Sequence, residues 1–141
     1  MSATIRLMTI DDYQQVNALW LSCAGMGLRD IDDSADGIGA FLQRNPSTCF
    51  IAEKSGRVVG SILAGHDGRR GHLYHVAVSP NFRRHGIAKA LVETALEALH
   101  REGIRKVSLV AFKTNDEGNR FWESAGFTVR HDLVYRDRVL A

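Results

Sequence analysis

Two hydrophobic periods follow one another along the chain, and their order predicts most of its elements. Thr4 to Met8 reads as a short strand. Thr9 then opens a helix through Asp12 in an approximate capping box, and Tyr13, Val16, Leu19 and Trp20 form its apolar stripe. The Gly- and Asp-rich stretch from Cys23 to Gly37 reads as a loop. A second helix turns Ile38, Phe41 and Leu42 inward and stops before Pro46. Thr48 to Lys54 and Arg57 to Ala64 predict a hairpin around Ser55-Gly56. The turn from His66 to Gly71 leads into an extended run from His72 to Ser79. Ile87, Leu91, Ala95, Leu96 and Leu99 mark a long helix that ends at Gly103. Arg105 to Phe112 reads as a strand, Asp116 to Ala125 as a helix, and two short strands finish the chain. Without repeats or a linker, the expected fold is α/β in one domain over residues 1–141. Its sheet is expected to be mixed, mostly antiparallel, of six to seven strands flanked by about four helices.

One junction is more informative than the rest. Arg83-Arg84-His85-Gly86-Ile87-Ala88 joins the His72 strand to the long helix. A glycine turn at such a place aims backbone N–H groups and the positive helix end at one point in solution. That point is an anion site suited to phosphate. Gly86 serves there either because a Cβ would hold the anion off the amides or because the turn needs φ > 0. A plain strand-to-helix turn would also use a glycine. Two common phosphate motifs are excluded. The chain has no Gly-Lys-Ser/Thr, so no P-loop, and the turn lacks the three spaced glycines and acidic ribose partner of a dinucleotide fingerprint.

The segment does fit Gln/Arg-x-x-Gly-x-Gly/Ala through Arg83, Gly86 and Ala88. Upstream stands Val76-Ala77-Val78-Ser79-Pro80, and downstream Asn115 followed by Phe121-Trp122-Glu123-Ser124-Ala125-Gly126-Phe127. In this order and spacing the segments resemble the GNAT N-acetyltransferase superfamily over nearly the whole chain. The resemblance implies a GNAT-like fold with acetyl-CoA as cosubstrate, in a wedge between the strand carrying Val76 and the strand carrying Val110. It implies that the backbone of Val76, Ala77 and Val78 pairs with the pantetheine arm like an added strand. Val76 and Val78 can pack as core residues at the same time. It implies further that the turn of Arg83, Arg84, His85, Gly86, Ile87, Ala88 and Lys89 holds the pyrophosphate, and that Asn115 holds the pantetheine end. A helix cap before Asp116 is the alternative for Asn115.

Acetyl transfer to an amine needs a neutral amine, an oxyanion donor and a tolerated thiolate. The resemblance gives the donor role to the backbone N–H of Val76. Some relatives place the base four or two residues earlier, where this chain has His72 and Tyr74. Strand alternation expects His72, Tyr74 and Val76 on one face and Leu73, His75 and Ala77 on the other. His72 has the intrinsic pKa of a base near neutral pH; the alternative is a solvated histidine at the strand start. Trp122 stands where many relatives carry a tyrosine that protonates the leaving thiolate. An indole cannot release a proton. A thiolate, with a conjugate pKa near 8.5, leaves without help, and Tyr74 or Tyr135 offers a substitute. Packing beside Phe121 and Phe127 is the plainer reading of Trp122. The same departure leaves room for a second reading, a catalytically weak acyl-CoA-binding sensor or regulatory module on this fold.

Composition adds exclusions. A net charge of +2 is too small for a nucleic-acid footprint, and the clusters Arg69-Arg70 and Arg83-Arg84-His85 suit a small polyanion better. Met1 to Asp12 lacks the apolar core of a secretion signal and no run is long enough to span a membrane. Cys23 and Cys49 show no paired spacing, which reads as reduced thiols in a cytoplasmic protein. No metal is expected: His72 and His75 are an odd number apart on a strand, and His66, His85, His100 and His131 show no ligand spacing. Asp30, Asp32, Asp33 and Asp36 lie in the loop that, by the resemblance, borders the acceptor entrance, and would favour a cationic amine. A solvated loop with a helix N-cap at Asp33 or Ser34 is the alternative for them. An α-amine, a protein lysine, a polyamine and an aminoglycoside all stay open as acceptors, as does a homodimer.

Overall fold

The computed structural model describes residues 3–140, in two compact units, Met1–Val110 and Ala111–Ala141. The first unit is built on five strands that hydrogen-bond in chain order: β1 (Thr4–Leu7), β2 (Phe50–Lys54), β3 (Arg57–His66), β4 (Gly71–Val78) and β5 (Val107–Leu109). The first three pairings are antiparallel and the last, β4 with β5, is parallel. Helices α1 (Tyr13–Leu21), α2 (Asp30–Asp33), α3 (Ala35–Arg44) and α4 (Ile87–Arg101) belong to this unit, and α5 (Asp116–Ser124) to the second.

Local chemistry fixes the element ends. Between β2 and β3, Ser55 and Gly56 sit at φ 52° and 75°, the left-handed pair of a tight hairpin turn. The Asp12 carboxylate accepts the Thr9 N–H at 2.9 Å, which is the reciprocal half of the expected capping box. The same carboxylate takes two bonds from the Arg6 guanidinium, at 3.0 and 2.8 Å, tying β1 to the start of α1. Arg6 holds the buried Asp12 carboxyl below the usual carboxylate range. Ser34 N-caps α3, its Oγ accepting the Gly37 N–H at 3.2 Å. Past α4, Gly103 takes φ 87° while Ile104 N–H returns to Leu99 at 3.1 Å.

Both sheet faces are covered. Val16, Leu19 and Trp20 of α1 and Ile38 and Leu42 of α3 pack with Ile51, Leu63 and Ala77. Ala52, next to Ile51 and so on the opposite face, lies with Gly60 beneath Ile87 and Leu91 of α4. A Cβ at Gly60 would come within 3.0 Å of Leu91 and 3.1 Å of Ile87, so glycine there lets α4 sit close.

Among the described residues the sheet has five strands, where six to seven were expected. The stretch Arg105 to Phe112 is strand only at Val107–Leu109, because β4 offers it three register positions. Residues 127–140 form no strand. Their apolar residues Leu133, Val134 and Tyr135 are all exposed. Among the described residues five α-helices stand where about four were expected, since one turn of helix, Asp30–Asp33, forms inside the predicted loop. No described helix is long and apolar enough to cross a membrane.

Candidate active site

β4 outruns its parallel partner. Gly71, His72 and Leu73 register with Val107, Ser108 and Leu109, and the pairing stops there. From His75 to Val78 no described strand lies along that edge. A strand with one open edge is a place where an extended ligand can add main-chain hydrogen bonds.

A bulge interrupts β4 in this same stretch. Tyr74 registers with Leu63 and Ala77 with Ser61, so Ile62 alone faces both His75 and Val76. His75 takes φ 48°, a left-handed value that costs a non-glycine residue roughly 1–2 kcal/mol. Buried Ser61 donates its hydroxyl to the His75 carbonyl at 3.0 Å and accepts Trp20 Nε1–H at 2.9 Å. The bulge overturns the expected alternation. Tyr74 packs edge-on to Phe41 of α3, His75 edge-on to Trp20 of α1, and Ala77 joins the Trp20 cluster. These three therefore share one sheet face, where alternation had put His75 and Ala77 opposite Tyr74.

The open edge runs into the expected anion turn. After a helical turn at Pro80–Phe82, Arg84 and Gly86 take φ 65° and 78°. Nothing lies within 4 Å of a Cβ built on Gly86. The positive φ, and not crowding by the protein, is what calls for glycine. Gly86 is the N-cap of α4 and no side chain caps the helix. The first helical bond is Ala90 N–H to the Gly86 carbonyl at 3.0 Å, so the amides of Ile87, Ala88 and Lys89 have no intrahelical acceptor. Buried Ile87 anchors the turn, while Arg84, His85 and Lys89 are exposed around it. Arg83 is different: its Nε donates to the Val78 carbonyl at 3.1 Å.

Two clefts meet at the Phe41–Tyr74 pair. One, of about 360 Å³, is lined by Arg44, Arg70, His72, Tyr74 and Ser108 among others. His72 Nδ1 lies 3.1 Å from Ser108 Oγ, and its ring is 4.4 Å from that of Tyr74. Burial pushes His72 below the ordinary histidine value, so the ring is neutral at pH 7. The other cleft, of about 300 Å³, is lined by Arg29, Asp32, Asp33, Tyr74 and His75 among others. Here His75 Nε2 and Asp33 Oδ1 are 2.6 Å apart.

The acidic loop is less available than its composition suggests. The Asp33 carboxylate serves His75 and the Arg29 N–H, the latter at 2.7 Å. Asp36 lies in the first turn of α3, and Asp32 lines the second cleft. The side chain of Asp30 lies outside what the structure describes. In the second unit Asn115 caps α5, its Oδ1 accepting the Gly118 N–H at 3.0 Å. Trp122 packs edge-on to Phe121 and Phe127 at 5.0 and 5.3 Å.

Of the residues to which the sequence points, His72 and Tyr74 come together in one cleft. Val76, Ala77 and Val78 form the open edge leading to the Gly86 turn. Ser61, Ser108 and the role of His75 are not evident from sequence reasoning. Ser61 leaves a signal, a polar residue inside the apolar run Val58 to Leu63. Ser108 leaves none, since only the β4–β5 register brings it beside His72.

Comparison with known proteins agrees with this architecture. Residues 13–127 match the model of the acetyltransferase (GNAT) family. An acetyltransferase of Sodalis glossinidius is 33% identical over 130 residues, covering 92% of this chain and 90% of its own. The fold superposes on Ard1 from Thermoplasma volcanium with a TM-score of 0.82 at 23% identity, over 92% of this chain and 85% of that one. It superposes on the PaiA N-acetyltransferase of Thermoplasma acidophilum, solved in complex with coenzyme A, with a TM-score of 0.78 at 20% identity over 92% of each chain. The chain thus belongs to the acetyltransferase (GNAT) family and is an N-acetyltransferase.

Proposed function

We propose that the protein moves the acetyl group of acetyl-CoA directly to a primary amine, on a small molecule or on a peptide or protein. The observation that carries this reading is the open edge of β4 running straight into an uncapped, left-handed glycine turn at the start of a 15-residue helix. An extended pantetheine arm with its two amides suits the edge. A pyrophosphate suits the amides of Ile87, Ala88 and Lys89 with the charges of Arg84 and Lys89 around them. The coenzyme A complex of the PaiA relative supports this choice of ligand.

In this reading the Val76 N–H donates to the thioester oxygen as negative charge builds there. His72 receives the proton that the amine gives up as its nitrogen bonds to the acetyl carbon. That role asks for one tautomer: Nδ1–H donating to Ser108 Oγ, with the Nε2 lone pair toward the cleft. The carbon–sulfur bond breaks and CoA departs as thiolate, a leaving group stable enough to need no side-chain acid. Tyr74, in ring contact with His72 in the same cleft, shapes the acceptor path together with Phe41.

Incubating the protein with acetyl-CoA and a panel of α-amines, lysine peptides, polyamines and aminoglycosides, while following free thiol, tests the reading. Amine-dependent thiol release with an acetylated amine in the mass spectrum is expected. Stabilisation by CoA against heating, with no thiol release from any class of amine, would overturn it in favour of a sensor.

A further inference from the structure

His75 carries a strained backbone, a half-buried hydrogen bond to a carboxylate and an aromatic contact at once, and none of these is needed simply to continue a strand. Its left-handed φ of 48° persists only where the surroundings over-determine it. Three separate groups do so here. The carbonyl is held by the Ser61 hydroxyl at 3.0 Å. The direction of that hydroxyl is fixed, because Ser61 Oγ already accepts Trp20 Nε1–H at 2.9 Å and has only one proton to give. The imidazole packs edge-on to Trp20 at 4.7 Å between ring centres. Its Nε2 meets Asp33 Oδ1 at 2.6 Å, with both side chains mostly buried, at 15% and 12% exposure.

Asp33 belongs to the segment before α3, and it is held as firmly as His75. Its other carboxylate oxygen accepts the Arg29 N–H at 2.7 Å, and its backbone carbonyl accepts the Tyr13 hydroxyl, also at 2.7 Å. Tyr13 in turn lies edge-on to Trp20 at 6.5 Å. The contacts therefore close a ring, Trp20 to Ser61 to His75 to Asp33 to Tyr13 and back to Trp20. One side of this ring is the backbone that presents Val76. The other side is the wall of the cleft formed by Arg29, Asp32 and Asp33.

We propose that His75 is a positioning residue for acetyl transfer: its pair with Asp33 and its carbonyl bond from Ser61 hold the bulge that aims the Val76 N–H, and lock that donor to the segment from Arg29 to Asp33. The inference rests on the reading of Val76 as oxyanion donor. His75 touches neither the acetyl group nor the base. It fixes the one residue whose N–H must point at the developing charge, where small misplacements are costly. An acceptor that orders the Arg29–Asp33 segment orders the donor with it.

The test replaces Asp33 with Ala, which removes the partner of His75 and leaves Val76, His72 and the Gly86 turn untouched. In wild type and variant, ¹H–¹⁵N spectra are recorded with CoA and with acetyl-CoA, and turnover is measured where an amine acceptor is known. Expected in D33A are joint shifts of the Val76 and Arg29 amide signals, a fall in kcat of tenfold or more, and a CoA Kd within twofold of wild type. Asp33→Asn keeps an oxygen to accept Nε2–H while losing the bond from the Arg29 N–H, so it should recover most of the rate and the wild-type Val76 signal with the Arg29 signal still shifted. Ser61→Ala, remote from any substrate, should reproduce the D33A shift at Val76. A Val76 signal unchanged in folded D33A and S61A proteins, or an unchanged kcat, overturns the proposal. The spectra decide it even if no amine supports thiol release, an outcome that would count against the transferase reading alone. If D33A fails to fold, S61A decides in its place: a Val76 signal shifted in S61A and retained in D33N supports the proposal, and one unmoved in S61A overturns it.

Discussion

The guanidinium of Arg83 reaches back along the chain and donates from Nε to the carbonyl of Val78 at 3.1 Å. Cys23 Sγ lies 3.6 Å from the same oxygen. Of the three residues expected to pair with pantetheine, Val78 thus has its acceptor engaged from within the protein. In the proposed CoA site Arg83 would act by shaping the turn that Arg84 and Gly86 present, more than through its charge.

Replacing Arg83 by Ala should therefore weaken CoA binding about fivefold, the value of roughly 1 kcal/mol for one hydrogen bond at a half-exposed site. Arg83→Lys should not restore it, because an ammonium lacks the planar Nε–H that meets the Val78 carbonyl. Calorimetric titration with CoA checks both. Wild-type affinity in R83A would mean that the turn holds its shape unaided.

Gly86 has open space around its missing Cβ but a φ of 78°. A β-branched residue there must either bear the strain or swing the turn out of the left-handed region. Gly86→Val should cost no more than about 2 kcal/mol of stability, since no core contact is lost, yet should abolish CoA binding by re-aiming the amides of Ile87 and Ala88. A folded variant that binds CoA as before would remove this turn from the cofactor site.

Burial sets the folded-state pKa of His72 below the ordinary histidine value near 6.5. In the unfolded chain the ring takes up its proton first as pH falls, so the neutral buried form contributes stability above about pH 6.5 and loses it below. The rate should follow the same sense, with a flat plateau at neutral pH and an acidic limb lying below about 6.5. His72→Ala should lower kcat roughly 10²-fold and flatten that limb, with CoA affinity unchanged. Ser108→Ala, which frees the ring to choose either tautomer, should give a smaller loss. Survival of both the rate and the limb in H72A would make His72 a bystander.

What could be read from the residues alone was whatever depends on neighbours in sequence. The Ser55-Gly56 hairpin, the Thr9–Asp12 cap and the Gly86 turn are local, and each appears where the pattern placed it. The bulge at His75 was not legible, because its causes are Ser61 on the adjacent strand, Trp20 on α1 and Asp33 before α3. Alternation is a rule for an uninterrupted ladder, and it fails at the residue where distant contacts impose a left-handed turn. The two short strands expected past Phe127 do not form, and Leu133, Val134 and Tyr135 there are exposed. The composition of the acidic loop did not show that one of its carboxylates, Asp33, is bonded to His75 and to the Arg29 N–H.

Trp122 packs within the second unit, edge-on to Phe121 and Phe127, and the Phe127 N–H returns to the Trp122 carbonyl at 2.9 Å to close α5. Its indole has no proton to lend to a thiolate, so in the proposed reaction the thiolate leaves without a side-chain acid or takes its proton from Tyr74. Trp122→Phe should then keep turnover within about threefold while losing roughly 1 kcal/mol of stability through the smaller ring. Trp122→Tyr, which restores a phenol at this position, should raise the rate little, because a thiolate with a conjugate pKa near 8.5 already leaves without protonation. The two variants are compared by steady-state thiol release at saturating acetyl-CoA, with melting temperatures measured alongside. A hundredfold gain in W122Y at constant CoA affinity would show that thiolate protonation limits the wild-type protein, and that the indole at this position holds its turnover down.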